Sequence, residues 1–245
     1  MLILPAIDLR GGRCVRLRQG DYGRETVFDA DPVAVARRFE AAGARWLHVV
    51  DLDGAREGRP LNLDAVARVV RAVGMQVEVG GGIRTTETAK DLLDVGASRV
   101  IVGTRAVREP AWLAEVARTC PGRVALALDA RGGEVAVEGW QQGTGRSASD
   151  VLAEAEQLPL ATIIYTDIAK DGMMAGPAVE ATADLARRTR LPVIASGGVT
   201  TAEDVARLAA TGAIHGAVIG RALYEGTLAV EDAIAAAGPQ HGNEA

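Results

Sequence analysis

Eight short β-branched runs alternate with eight longer stretches rich in Ala, Leu and Arg along these 245 residues, and nothing else restricts the fold as tightly. The runs are LILPAID (2–8), WLHVVD (46–51), QVEVG (76–80), RVIVG (99–103), RVALALD (123–129), ATIIYT (161–166), LPVIAS (191–196) and HGAVIG (215–220). Helical spacing of apolar residues marks 32–42, 62–73, 86–95, 110–118, 149–157, 178–189, 202–210 and 230–237. Asp31 before Pro32 and Thr201 ahead of Glu203 read as helix starts, and Gly43, Gly96 and Gly212 as helix ends. Strict alternation without a linker predicts an α/β fold, a single (β/α)8 TIM barrel over 1–237, with 238–245 as a disordered tail. A doubly wound open sheet is the alternative architecture for the same alternation.

The chain also repeats itself at half its length. VGGGIRTTETAKDLLDVGASRVIVGTRAV (79–107) lies over ASGGVTTAEDVARLAATGAIHGAVIGRAL (195–223). Gly82 falls on Gly198 and Gly103 on Gly220, at offsets of 116 and 117, while Asp51 falls on Thr166 at 115. Asp8 then stands opposite Asp129. Near-constant offsets across several motifs predict two homologous half-barrels joined end to end.

Composition narrows the function classes. Apolar residues make up 48% and aromatic ones 3%, so the core is built from Ala, Val, Leu and Ile, as buried parallel strands require. A net charge of −5 with no basic block argues against a nucleic-acid partner or an anionic membrane surface. Cys14 and Cys120 form no CxxC, and His48, His215 and His241 no ligand spacing, so neither a disulfide framework nor a metal site is expected. MLILPAID lacks a basic start and meets Asp8 early, which reads as a cytoplasmic protein without a signal peptide. A monomer is the expectation.

In such a barrel the C-terminal strand ends carry the chemistry. Gly81, Gly82, Gly103 and Thr104 follow the third and fourth runs; Ser196, Gly197, Gly198, Gly220 and Arg221 follow the seventh and eighth. Glycine lets the backbone approach a ligand, and free N–H groups favour an anion. Two such seats on opposite sides of one mouth imply a long small-molecule substrate with a phosphate at each end. Arg84 of GGGIRT and Gly20 of RLRQGDYG join these candidates. GGGIRT fits neither GxGxxG nor GxxxxGK[ST], so a dinucleotide or nucleoside triphosphate is disfavoured. Asp8 and Asp129, facing one another, suit acid–base work with one carboxyl ionised and one protonated. The bland alternative pairs each with Arg10 or Arg131. Trp140, in EVAVEGWQQGTGR, either stacks on a planar ring of the ligand or packs under its own hairpin. Residues 10–30, a long connection, read as a lid. Lys170, in the loop AKDG, reads as solvated or phosphate-facing rather than as a Schiff-base lysine.

PAIDLRGGRCVRLRQGDYG, HVVDLDGA, VGGGIRT, LALDARGG, TDIAKDGM, ASGGV and VIGRALYEG together resemble the phosphoribosylformimino-aminoimidazole-carboxamide ribotide isomerases of histidine biosynthesis, from Leu2 to about Ala237. The resemblance implies an Amadori rearrangement of an N-linked aminoaldose to an aminoketose, on a substrate with two phosphates and without cofactor or metal. It implies Asp8 as proton acceptor, Asp129 as proton donor, Thr166 as an aid at the sugar and Asp171 as a further acid. The cyclase subunit of imidazole-glycerol-phosphate synthase shares the half-barrel repeat but typically reads CLDV in place of AIDL. Phosphoribosylanthranilate isomerases typically carry a Cys base on the first strand. Bifunctional isomerases of both pathways tend to place a basic residue two before the loop tryptophan, where this chain has Glu138, so a single function is expected. A non-catalytic phosphosugar-binding barrel would lack the two carboxylates.

Overall fold

A computed structural model describes residues 1–18, 21–137, 140, 142–171, 173–174 and 176–238. Each β-branched run forms a parallel strand: β1 (Leu2–Arg10), β2 (Trp46–Asp51), β3 (Gln76–Gly80), β4 (Arg99–Val102), β5 (Val124–Arg131), β6 (Thr162–Asp167), β7 (Val193–Ser196) and β8 (Gly216–Ile219). Every strand bonds to the next and β8 returns to β1, so the sheet closes on itself as a (β/α)8 barrel rather than opening into a doubly wound sheet.

The period-two pattern of the strands decides what each side chain meets. On β2, Leu47 and Val49 face outward onto the helices, while Trp46, His48 and Val50 face the barrel interior. Inside, the strand registers arrange the inward residues in tiers contributed by alternate strands. Leu4, Glu78, Ala125 and Ile194 form a tier in which every member is 0% exposed. Above it lie His48, Ile101, Ile164 and Val218, then Ala6, Gly80, Ala127 and Ser196, and finally Val50, Gly103, Thr166 and Gly220 below the rim. The upper tiers are made mostly of small residues, so inward side chains fill the lower interior more than the upper.

The helices follow the expected stretches within one to three residues, and their starts show why. Asp31 accepts the Val33 N–H at 3.0 Å ahead of Pro32–Ala41. Thr201 opens Ala202–Ala210 with a capping box, although its partner is Asp204 and not the neighbouring Glu203. Three short helices, Leu52–Glu57, Thr104–Arg108 and Arg221–Glu225, fall below the length at which periodicity is visible.

Two connections form antiparallel hairpins. Residues expected as a lid extend β1 through strands Arg13–Arg18 and Asp21–Asp29. Cys14 and Val15, both 0% exposed, fasten this hairpin to the core. Its base is tied to the loop after β2, where Gly11 N–H donates to Asp53 at 2.7 Å and Gly12 N–H to Asn62 at 2.8 Å. A second hairpin, Glu134–Val137 with Gln142–Ser147, follows β5 and carries Trp140. At the opposite end of the barrel, Leu2 N–H donates to His215 and the Met1 amine to Ala237 at 3.3 Å. The last helix is Val230–Ala236; residues 239–245, most of the expected tail, lie outside the described residues.

Candidate active site

The repeat is visible in the backbone around the mouth. Gly81 and Gly82 have φ of +105° and +75°, and Gly197 and Gly198 have +92° and +83°. These are conformations that L side chains resist, and here the space is closed as well. A Cβ on Gly82 would overlap the Gly54 carbonyl and the Arg59 backbone, and one on Gly198 would overlap the Gly176 carbonyl and reach Lys170. Gly103 and Gly220 share a second geometry, φ/ψ of −133°/−101° and −113°/−95°, each just ahead of a five-residue helix.

Beside the first pair, Arg84, Thr104, Arg105, Arg108 and Glu109 line a cavity of about 280 Å³. Arg105 donates to the Arg84 carbonyl, bonds Glu109 at 2.9 Å and lies 4.7 Å over the Trp112 ring. The Arg84 side chain is exposed and lies against Gly58. The second pair is bounded differently. The guanidinium of Arg16 fills the place where a Cβ on Gly220 would stand.

Arg16 is also the partner of Asp8. Its Nη1 donates to Asp8 Oδ2 at 2.6 Å, and the guanidinium lies 5.7 Å over the Tyr224 ring. Burial opposes the Arg16 charge, but Asp8, Tyr224 and Asp171 overcome it and raise the guanidinium pKa. Asp8 is therefore ion-paired, through Arg16 rather than through the neighbouring Arg10. Arg10 instead bonds Glu25 and the Tyr22 carbonyl.

Asp129 sits in a different environment. Burial pushes its pKa up, and hydrogen bonds from Trp140 and Thr166 only partly offset that. The Trp140 indole N–H reaches Asp129 Oδ2 at 2.9 Å, from a backbone with φ of +71°. Trp140 is thus turned onto the carboxyl. Thr166, 7% exposed, is the register partner of Asp129 on β6. Asp171, in the loop after β6, is raised to about 6 by burial, with Asp8 and Asp129 adding to the shift and Arg16 and His48 opposing it.

The structure brings Asp8, Asp129, Thr166, Asp171 and Trp140 to one mouth. Gly81, Gly82, Arg84, Gly103 and Thr104 stand on one side of it, and Ser196, Gly197, Gly198, Gly220 and Arg221 on the other. Gly20 and Glu138 lie outside the described residues. Asp51, the repeat mate of Thr166, plays another part. It is 2% exposed and accepts from the N–H groups of Gly54, Leu61 and Asn62 and from the Asn62 amide, which closes the loop after β2. Sequence reasoning missed Arg16 and His48. Arg16 belonged to the supposed lid, and His48 was set aside as a mid-strand residue; inward direction along β2 was the one signal available for it. Among the described residues no three His, Cys, Asp or Glu side chains are grouped to hold a metal, and no helix is long and apolar enough to cross a membrane.

Comparison with known proteins points the same way. The family model described as histidine biosynthesis protein matches residues 2–229. A protein of Halorhodospira halophila is 52% identical over 236 residues, 96% of each chain. One of Paracoccus denitrificans is 49% identical over 236 residues, covering 96% of this chain and 99% of its own. One of Picosynechococcus is 48% identical over 242 residues, covering 98% and 94%. Each of the three bears the name 1-(5-phosphoribosyl)-5-((5-phosphoribosylamino)methylideneamino) imidazole-4-carboxamide isomerase.

Proposed function

Because this chain belongs to the histidine biosynthesis protein family, we propose that it is the aldose–ketose isomerase its relatives are named for, with Asp8 as base and Asp129 as acid. The observation that carries the assignment is the contrast between the two carboxyls. Asp8 is ion-paired with Arg16, whereas burial raises the proton affinity of Asp129. Paired carboxyls with opposed environments are how one site supplies an acid and a base at the same pH.

The reaction then runs in three moves. Asp129 gives its proton to the ring oxygen of the aminosugar, the bond from that oxygen to the anomeric carbon breaks, and the nitrogen lone pair forms a C=N bond. Asp8 takes the proton from the neighbouring carbon; the released pair forms a C=C bond and the C=N pair returns to nitrogen, giving an enolamine. Asp8 returns the proton to the former anomeric carbon, while the enol hydroxyl loses its proton to Asp129 and becomes the ketone. Both carboxyls end as they began. Thr166 orients Asp129, and Asp171 is a second acid at the same mouth. The two glycine-lined seats hold the terminal phosphates, and distance between seats selects a substrate phosphorylated at both ends.

The test is a direct assay of the purified protein on the aminoaldose, with conversion followed by absorbance and by chromatography of the ketose product. Turnover is expected without added metal or cofactor; absence of product would reject the reading. On phosphoribosylanthranilate no useful turnover is expected, and measurable kcat/KM there would establish a second substrate.

A further inference from the structure

A carboxylate with no solvent contact lies inside this barrel and the reaction above does not use it. Glu78 is 0% exposed. Its Oε1 meets His48 Nδ1 at 2.5 Å and its Oε2 accepts from Arg99 Nε at 2.5 Å. Arg99 in turn lies 4.0 Å over the Trp46 ring. Burial opposes the Glu78 charge, yet His48 and Arg99 overcome it and hold the carboxyl below its usual range. Apolar residues would fill this space at equal or better stability, so three polar residues on three consecutive strands call for another reason.

The tiers supply it. Beneath His48 the tier of Leu4, Glu78, Ala125 and Ile194 is sealed, each member being 0% exposed. Ile101 and Val218 nevertheless keep 8% exposure and the His48 side chain 12%. With the floor closed, that exposure comes from the mouth, past the small side chains of Ala6 and Ala127. Ionised Glu78 has no proton to give, so His48 Nδ1 must carry the hydrogen. Nε2 is then the ring nitrogen turned away from Glu78, which fixes the ring from behind.

We propose that His48 is a positioning residue at the foot of the active-site well, oriented by Glu78 and Arg99, and that it governs the protonation of the acid carboxyls Asp129 and Asp171 above it. The charged groups around it are Asp8 and Arg16 from the β1 side, Glu78 on β3, Arg99 on β4 behind Glu78, Asp129 on β5 and Asp171 after β6. Strands β6 to β8 bring no ionisable side chain to these tiers. Positive charge on the His48 ring favours the ionised forms of both aspartates. Glu78 acts at one remove. A neutral residue in its place takes away the carboxylate that holds the ring and its charge, and so raises the proton affinity of carboxyls it does not touch.

The inference rests on the isomerase reading for its catalytic meaning but not for its test. Aspartate carboxyl titrations by ¹³C NMR, assigned with Asp129→Asn and Asp171→Asn, need no substrate. In His48→Gln and in Glu78→Gln the Asp129 and Asp171 titrations should move to higher pH by on the order of half a unit. The alkaline limb of the kcat profile should move with them while KM holds. Unmoved titrations in His48→Gln, or a fall in kcat and Tm without a change of limb, would overturn the proposal. So would a shift in His48→Gln with none in a folded Glu78→Gln. If Glu78→Gln does not fold, His48→Gln decides alone. A wild-type protein with no isomerase activity would refute the functional reading and leave the titration result to stand by itself.

Discussion

Asp8 and Asp129 are the same residue type at matching strand ends, and what separates them is the company each keeps. Arg16 holds a charge against Asp8, while Asp129 has burial against it and two neutral donors beside it. Asp8→Asn and Asp129→Asn should each lower kcat by ~10²–10⁴, the range for a lost general acid or base, with the far-ultraviolet circular dichroism unchanged. Wild-type turnover in either variant would reject its assignment. Trp140→Phe isolates a smaller effect. The indole N–H favours ionised Asp129, so its loss should raise the carboxyl's pKa and carry the alkaline limb of the pH–rate profile upward by about one unit, the scale of a single charge-assisted hydrogen bond. A downward or absent shift would show that the bond is not made in solution. The carboxyls were legible in the sequence because a strand end is marked by its neighbours in the chain. Arg16 was not, because it reaches Asp8 only once the hairpin folds back onto β1.

Elements carry the repeat, and the repeat made most of them readable. Alternation of β-branched and Ala/Leu-rich stretches located all eight barrel strands, since closed parallel sheets need apolar faces on both sides. The hairpins after β1 and β5 were harder, because RCVRLR and EVAV alternate over too few residues to be told from loop. The glycine pairs test the symmetry directly. Gly82→Ala and Gly198→Ala each force a side chain into left-handed backbone against a carbonyl, so each should lower Tm and raise KM more than it lowers kcat. Two equal effects would match two equivalent phosphate seats; a change in KM at one alone would show that only that seat binds substrate. Crystals soaked in inorganic phosphate offer a check, with one anion expected at each seat.

At the scale of the whole molecule the site has a cost in stability. Burial raises the Asp171 carboxyl to about 6 in the folded protein, above its ordinary 3.8. Below its ordinary value both folded and unfolded forms are protonated and folding loses nothing. Between 3.8 and 6 the unfolded chain releases this proton while the folded one keeps it, so stability falls as pH rises. Above 6 the folded state carries a desolvated charge and the loss is complete. Asp171→Asn should therefore melt with the wild type in acid and above it at neutral pH, the gap in Tm opening between those two values; a gap independent of pH would count against the burial of this carboxyl. Such a trade of stability for chemistry is common at working sites.

The pairing of the Met1 amine with Ala237 also places the first residue and the end of the last helix side by side, on the face away from the mouth. Anything attached there, whether a tether to a surface or a second protein, leaves substrate access untouched. Met1 and Ala237 are near enough to be spliced, and a Cβ on Gly122, in the turn between the two halves of the chain, would meet nothing. A circularly permuted protein beginning at Gly122 and joined through residues 239–245 would then present the second half first and should isomerise its substrate with the wild-type kcat.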